Sequence, residues 1–126
     1  MRKINKIIIH CADTPAGKYF DKEDIYQWHV VENGWSDIGY HYIVLLDGSI
    51  QIGRPINRGG AHCRGQNKGS IGICYIGGKG GDTRTKEQKE TLKQLIHNIK
   101  QEHNKAIVYG HRDFSNKDCP MSVSYT

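Results

Sequence analysis

The sequence has no long apolar run. Near its start the longest one is Ile7-Ile8-Ile9, whereas a membrane-spanning helix needs about 20 consecutive apolar residues. The same run is too short for the apolar core of a secretory signal peptide. We therefore expect a chain that is made in the cytoplasm without a signal peptide and that does not insert into a membrane.

Cysteine is sparse as well. The chain has four cysteines at irregular spacing and no CxxC pair, which argues against a disulfide scaffold. A chain of 126 residues can bury a core without covalent cross-links. We expect free thiols, with Cys11 and Cys74 in the core and Cys63 in a loop.

A concentrated basic stripe is also lacking, although the net charge is +5. This charge favours contact with polyanions, and both nucleic acid and anionic cell wall fit it. A nucleic-acid-binding domain would bind DNA strongly and in a salt-dependent way. The scattered charge and the lack of paired metal ligands argue against specific nucleic-acid binding.

The residue pattern predicts one α/β domain over residues 1–126, with a mixed central β-sheet flanked by helices. Neither an internal repeat nor a low-complexity tract divides the chain. Apolar runs predict the strands, capping residues and helical spacing predict the helices, and the Asp47-Gly48 dipeptide predicts a tight two-residue hairpin turn. The predicted elements are a strand at 3–10, a helix at 21–33, a hairpin at 39–53, a loop at 54–69, a strand at 70–76, a helix at 85–103 and a strand at 106–109.

Two histidines follow apolar strands directly. His10 ends the first predicted strand and His111 follows the last one, with Cys119 eight residues further on. If these strands are parallel neighbours, both imidazoles reach one crevice at the carboxyl ends of the strands. Two imidazoles and a thiolate would leave one position of Zn²⁺ open, as in catalytic zinc sites. The alternative is that His10 ends a strand by chance, that His111 lies on a surface loop and that Cys119 is a small core residue.

Five motifs in order resemble the type 2 N-acetylmuramoyl-L-alanine amidases, a family that includes phage lysozymes of the amidase type and animal peptidoglycan-recognition proteins. The resemblance covers roughly residues 4–122. Its motifs are Ile8-Ile9-His10-Cys11-Ala12-Asp13-Thr14, Gln27-Trp28-His29, Gly34-Trp35-Ser36-Asp37-Ile38-Gly39-Tyr40-His41-Tyr42-Ile43, Gly60-Ala61-His62 with Asn67 and Ser70-Ile71-Gly72-Ile73, and His111 with Lys117-Asp118-Cys119-Pro120.

The resemblance implies a role for each matching position. His10, His111 and Cys119 match the zinc ligands, Tyr40 matches the tyrosine beside the metal, and Lys117 matches the lysine of the catalytic phage-type members. The implied reaction is hydrolysis of the amide between N-acetylmuramic acid and L-alanine in peptidoglycan. Because the binding-only members lack the cysteine ligand, the presence of Cys119 favours an enzyme over a receptor.

Four residues are predicted to contact the muropeptide substrate. They are His62, Arg64 and Asn67 in the long loop, and Trp35 as a groove wall. For each of them an ordinary role in loop solvation or packing is the alternative.

Three other residues are predicted to support the site or the core. His29 lies on the apolar face of the first helix and should be a hydrogen-bonded core residue. His41 should face the side of the sheet opposite to Tyr40, and Asp113 should either support His111 or be a solvated loop residue.

The resemblance favours a monomeric phage or prophage lysin, made in the cytoplasm and acting on the wall or periplasm after release. A cytosolic wall-recycling enzyme and a binding-only module are the alternatives. Family members usually continue into another helix, whereas this chain ends seven residues after Cys119. We expect that difference to affect the stability of the Cys119 loop more than the chemistry.

Overall fold

A computed structural model describes residues 2–114 and gives an α/β fold with the predicted order of helices and strands. The elements are β1 (Lys6–Cys11), α1 (Lys22–Tyr26), β2 (Tyr42–Val44), β3 (Ile50–Ile52), β4 (Ser70–Tyr75), α2 (Lys86–Glu102) and β5 (Ile107–Gly110). Helix α1 continues directly into a π-helical segment, Gln27–Glu32, and β5 continues into a 3₁₀ turn, His111–Asp113.

The sheet is mixed, as predicted, with the strand order β3-β2-β4-β1-β5. Strand β1 is parallel to both β4 and β5, β2 is parallel to β4, and β3 is antiparallel to β2. Every residue of β4 is buried, and so are all residues of β1 after Lys6. A strand covered on both faces needs a continuous apolar run, which explains the pattern of Ile7-Ile8-Ile9.

Two apolar clusters cover the two faces of the sheet. Alternate β1 residues, Ile7 and Ile9, pack with the apolar side of α2 in the larger cluster. Ile25 of α1 belongs to the second cluster together with Cys74 of β4. Since His10 pairs with Cys74 in the parallel register and successive strand residues alternate, His10 faces the side of the sheet on which α1 lies.

The first helical region is not a uniform α-helix. Asp21 caps α1 as predicted, because its side chain accepts from the backbone N–H of Glu23. The π-helical segment then widens the turn, with the Asn33 N–H donating to the carbonyl of Trp28 at 3.2 Å. The helical region ends before Gly34, which has a φ of +75°, as the sequence predicts.

The hairpin turn differs from the two-residue turn that was predicted. The Leu45 N–H donates to the Ser49 carbonyl, and the Gly48 N–H donates to the Leu45 carbonyl, both at 2.9 Å. This bonding gives a three-residue loop in which Gly48 takes a φ of +86°. Asp47 does not take a positive φ; its carboxylate instead accepts from the N–H and the hydroxyl of Ser49.

Gln88 links α2 to the sheet and is fully buried. Its amide nitrogen donates to the carbonyls of Val44 and Ile76, and its amide oxygen accepts from the Thr85 N–H in the predicted capping box. We expect Gln88→Leu to lower the free energy of unfolding by about 2 kcal/mol, because buried polar groups lose their partners. Urea unfolding would measure this loss. The matched control is Gln94→Leu on the exposed side of α2, and equal losses in the two variants would contradict the prediction.

The three cysteines in the described part of the chain, Cys11, Cys63 and Cys74, are buried. Cys11 and Cys74 lie in the two apolar clusters, as predicted. Across residues 2–114, none of the helices is both long and apolar enough to span a membrane.

Candidate functional site

Two of the predicted metal ligands lie side by side at the carboxyl ends of two parallel strands. The β1–β5 register aligns Ile9 with Gly110, so the next residue on each strand, His10 and His111, reaches the same edge. Their ring centroids are 4.6 Å apart with an interplanar angle of 56°. The first and last strands are parallel neighbours, and the structure therefore brings these two imidazoles together, as predicted.

The 3₁₀ turn after β5 holds His111 in place. The Asp113 carboxylate accepts from the Gly110 N–H at 2.8 Å and closes this turn. Asp113 thus supports the backbone of the segment that carries His111, and its support of the His111 imidazole itself stays a prediction. The other two predicted residues of this region, Lys117 and Cys119, lie outside the described residues.

Tyr40 lies beside His10, with its ring centroid 5.1 Å from that of the imidazole. Burial raises the pKa of the Cys74 thiol, and the nearby Tyr40 side chain opposes that rise. The thiol lies 3.8 Å from the Tyr75 carbonyl and donates to it. A phenolic hydroxyl, which can donate a hydrogen bond, therefore lies beside His10.

The π-helical segment supports Tyr40 through His29. The Nδ1 atom of His29 accepts from the Gly39 N–H at 3.0 Å, and its ring packs against Tyr40 at 5.3 Å and against Trp35 at 4.5 Å. His29 is therefore hydrogen bonded as predicted. Trp35 is 38% exposed, so one side of its indole faces solvent near the site.

His62 lies next to His10, with its ring edge-on to the other imidazole, and is 7% exposed. Its Nδ1 is 2.9 Å from Nε2 of His10, and its Nε2 is 3.1 Å from the hydroxyl of Ser70. Protein partners therefore engage both ring nitrogens. The predicted contact between His62 and substrate would have to displace one of them.

The other predicted substrate residues have different surroundings. Arg64 is exposed. The side-chain oxygen of Asn67 accepts from the N–H groups of His62 and Cys63 at 2.8 and 3.0 Å. Asn67 therefore holds the loop around His62, and its contact with substrate stays a prediction, as does that of Arg64.

Buried Arg54 and His41 organise the loop at 54–69, and no pattern in the sequence predicts either role. Arg54 donates to the carbonyls of Asp37, Ile38 and Gly59. His41 accepts from the Gly72 N–H through Nδ1 and contacts the Arg58 carbonyl at 2.8 Å through Nε2. Such pairings with backbone carbonyls of a loop leave no periodic pattern in a sequence.

Burial favours the neutral form of two imidazoles of the site, His10 and His62. Burial lowers the pKa of His10 well below its usual value, and the nearby rings of His62 and His111 lower it further. Burial likewise lowers the pKa of His62 to about 3, with an added contribution from His41. Neutral imidazole is the form that binds a metal ion.

These shifts predict that the chelator-treated protein loses stability in mild acid. A histidine whose pKa is lower in the folded state binds fewer protons when folded. Its contribution to the free energy of unfolding is therefore complete above pH 6.5 and is lost as the pH falls towards the folded pKa. From pH 7 to pH 5 we expect His62 alone to lower the free energy of unfolding by about 2 kcal/mol. The lowered pKa values of His10, His29 and His41 act in the same direction.

Urea unfolding at both pH values in EDTA would measure this effect. His62→Gln has no titrating ring at this position. Between the two pH values its free energy of unfolding should therefore fall by roughly 2 kcal/mol less than that of the parent. An equal decrease in parent and variant would contradict the shift assigned to His62.

Comparison with known proteins gives consistent matches. Residues 1–122 match the model of a family described as N-acetylmuramoyl-L-alanine amidase. The endolysin of Enterobacteria phage K11 is 34% identical over 124 residues, which cover 94% of this chain and 82% of the relative. Peptidoglycan-recognition protein SC2 of Drosophila melanogaster is 35% identical over 114 residues, covering 88% of this chain and 61% of the relative. The solved structure of N-acetylmuramoyl-L-alanine amidase LysC from Clostridium intestinale URNW has a TM-score of 0.85 and 29% identity, covering 94% of this chain and 77% of that one.

Proposed function

Because the chain belongs to the N-acetylmuramoyl-L-alanine amidase family, we propose that it is a zinc-dependent hydrolase of peptidoglycan. It cleaves the amide bond between N-acetylmuramic acid and the L-alanine of the stem peptide. The observation that carries this proposal is the pair of imidazoles, His10 and His111, at the ends of two parallel strands with Tyr40 alongside.

The chemistry of these donors fits zinc. Imidazole nitrogen and thiolate sulfur are common zinc ligands, and three protein ligands with one open position are typical of catalytic sites. His10 and His111 would supply the two nitrogens, and Cys119 would supply the sulfur. Within residues 2–114 there is no cluster of three His, Cys, Asp or Glu side chains suited to a metal ion, so the proposed set needs Cys119.

The chain's own residues would position and stabilise the reacting amide. Bound zinc supplies Lewis acidity, which polarises a carbonyl group and lowers the pKa of water to about 7. Tyr40 would donate its hydroxyl proton in a hydrogen bond to the oxygen that becomes negative as the amide is attacked. Lys117 would supply positive charge there.

Digestion of purified sacculi tests the proposed bond directly. We expect the protein to release new N-terminal L-alanine, and we expect EDTA to abolish this release until zinc is restored. New reducing sugar ends without new amino termini would contradict the assignment, because a glycosidase would then be responsible.

A binding-only function is the second candidate, since the relatives include a peptidoglycan-recognition protein. It predicts that the protein binds muropeptides and leaves sacculi intact, and that Cys119→Ser binds them equally well. Hydrolysis that depends on Cys119 would exclude it.

The endolysin relatives support a role as a phage or prophage lysin. In that role the protein acts as a monomer on the cell wall after its release from the cytoplasm. A lytic role predicts that cells producing the protein lyse when their inner membrane is permeabilised. A wall-recycling role instead predicts activity on soluble muropeptides and none on intact sacculi.

A further inference from the structure

A line of hydrogen bonds runs from His10 through two buried side chains to the backbone of the loop at 54–69. It connects Nε2 of His10 to Nδ1 of His62 at 2.9 Å, Nε2 of His62 to the Ser70 hydroxyl at 3.1 Å, and that hydroxyl to the Gln66 carbonyl at 2.7 Å. All three side chains are buried, with Ser70 fully so. None of these contacts belongs to the zinc-ligand set proposed above.

Because the last partner in this line is the carbonyl oxygen of Gln66, the position of every proton in it can be assigned. A carbonyl oxygen only accepts, so the Ser70 hydroxyl donates its single proton to Gln66 and must accept from Nε2 of His62. A neutral imidazole has one N–H, and therefore Nδ1 of His62 is an acceptor. His10 must then donate to it from Nε2, which leaves the lone pair of His10 on Nδ1.

We propose that His62 is a positioning residue of the metal centre, which fixes His10 as its Nε2–H tautomer and so presents Nδ1 of His10 to the metal. The proposal rests on the zinc site of the proposed function and deepens it. Histidine ligands are commonly oriented by a hydrogen bond at the second ring nitrogen, and loss of that partner weakens metal binding by 10- to 100-fold. Here a neutral imidazole takes the place of the usual carboxylate or carbonyl.

The surroundings of His62 hold its ring in this orientation. A Cβ atom at Gly72 would lie 2.6 Å from the ring, and one at Gly60 would lie 2.4 Å from it. The ring therefore lies against two residues that have no side chain. Asn67 fixes the backbone on which His62 stands, since its oxygen accepts from the His62 N–H.

The tautomers can be measured without any metal. Long-range ¹H–¹⁵N spectra of the zinc-free protein at pH 8 should show both His10 and His62 protonated at Nε2. In Ser70→Ala the hydroxyl that accepts from His62 is gone, so the His62 signals should shift towards a mixture of tautomers. A proton on Nδ1 of His10 in the parent protein would overturn the proposal.

Zinc affinity tests the consequence. His62→Leu removes the acceptor for His10, whereas His62→Asn keeps an amide oxygen close to the position of Nδ1. Competition with a chromogenic chelator should show affinity 10- to 100-fold lower for His62→Leu and within about threefold of the parent for His62→Asn. Both variants lose the bond to Ser70, so a purely structural role would lower their affinities equally. Equal affinities for these two variants, whether low or unchanged, would overturn the proposal.

The two measurements also separate this proposal from the function on which it rests. A parent protein that binds no zinc would overturn the proposed function, while the spectra would still decide the tautomer of His10. Normal zinc binding with His10 protonated at Nδ1 would overturn the role of His62 alone.

Discussion

Replacing His111 by alanine should lower the rate of amide hydrolysis by about 10³-fold or more and abolish stoichiometric zinc binding. The imidazole of His111 lies against that of His10, and a metal held by one imidazole and one thiolate would be bound weakly. Loss of the metal removes several kcal/mol of transition-state stabilisation, and each 1.36 kcal/mol corresponds to a tenfold change in rate. Release of N-terminal L-alanine from sacculi, together with the zinc content of the purified protein, would measure both effects.

The matched control for this change is His97→Ala. His97 is exposed on α2, so its loss should leave the rate and the zinc content unchanged. If His111→Ala retained full activity or a full equivalent of zinc, His111 would not be a ligand.

Tyr40→Phe should lower kcat by about 10²- to 10³-fold and leave KM nearly unchanged. Removing one donor to a developing oxyanion typically has an effect of this size, and an interaction made only in the transition state changes kcat rather than KM. The ring of Tyr40 packs beside His10 and His29, and phenylalanine preserves this packing. Steady-state kinetics on a soluble muropeptide would measure the change.

Tyr26→Phe is the control for the loss of a hydroxyl elsewhere, because Tyr26 is 40% exposed at the end of α1. Its kinetics should match those of the parent protein. A value of kcat for Tyr40→Phe within a factor of about two of the parent would contradict the role of the hydroxyl as a donor. A rise in KM at constant kcat would instead indicate that Tyr40 binds the substrate in its ground state.

The positions of His10 and His111 could be predicted because strand ends are visible in a sequence. Apolar runs mark β1 and β5, and a residue that directly follows such a run must lie at the carboxyl end of its strand. The parallel pairing of these two strands then places the two imidazoles together. Tyr40 was predicted to lie beside them through the family resemblance, and the structure places its ring next to His10.

The place of His62 could not be predicted, because it depends on contacts between distant residues. Its loop has no hydrophobic period, and its ring is buried only because Gly60 and Gly72 leave space for it. The hairpin turn shows a similar limit. Asp47-Gly48 correctly predicted a reversal, but the turn type follows from the hydrogen bonds of Asp47 with Ser49, which the dipeptide alone does not reveal.

The described half of the site stands on rigid elements, whereas the roles of Lys117 and Cys119 stay predictions. His10 lies within a buried central strand and His111 follows an adjacent one, so both imidazoles are placed by the sheet. Sites built on strands hold their geometry better than sites built on loops. The third ligand is therefore the part of the zinc set for which a direct measurement is needed.

X-ray absorption at the zinc edge of the purified protein tests this set most directly. The expected spectrum has one sulfur at about 2.3 Å and two imidazole nitrogens at about 2.0–2.1 Å, with one further light atom completing a tetrahedron. In Cys119→Ser the sulfur shell should disappear. A spectrum of the parent protein with no sulfur, or with four protein ligands that close the site, would contradict the zinc amidase proposed here.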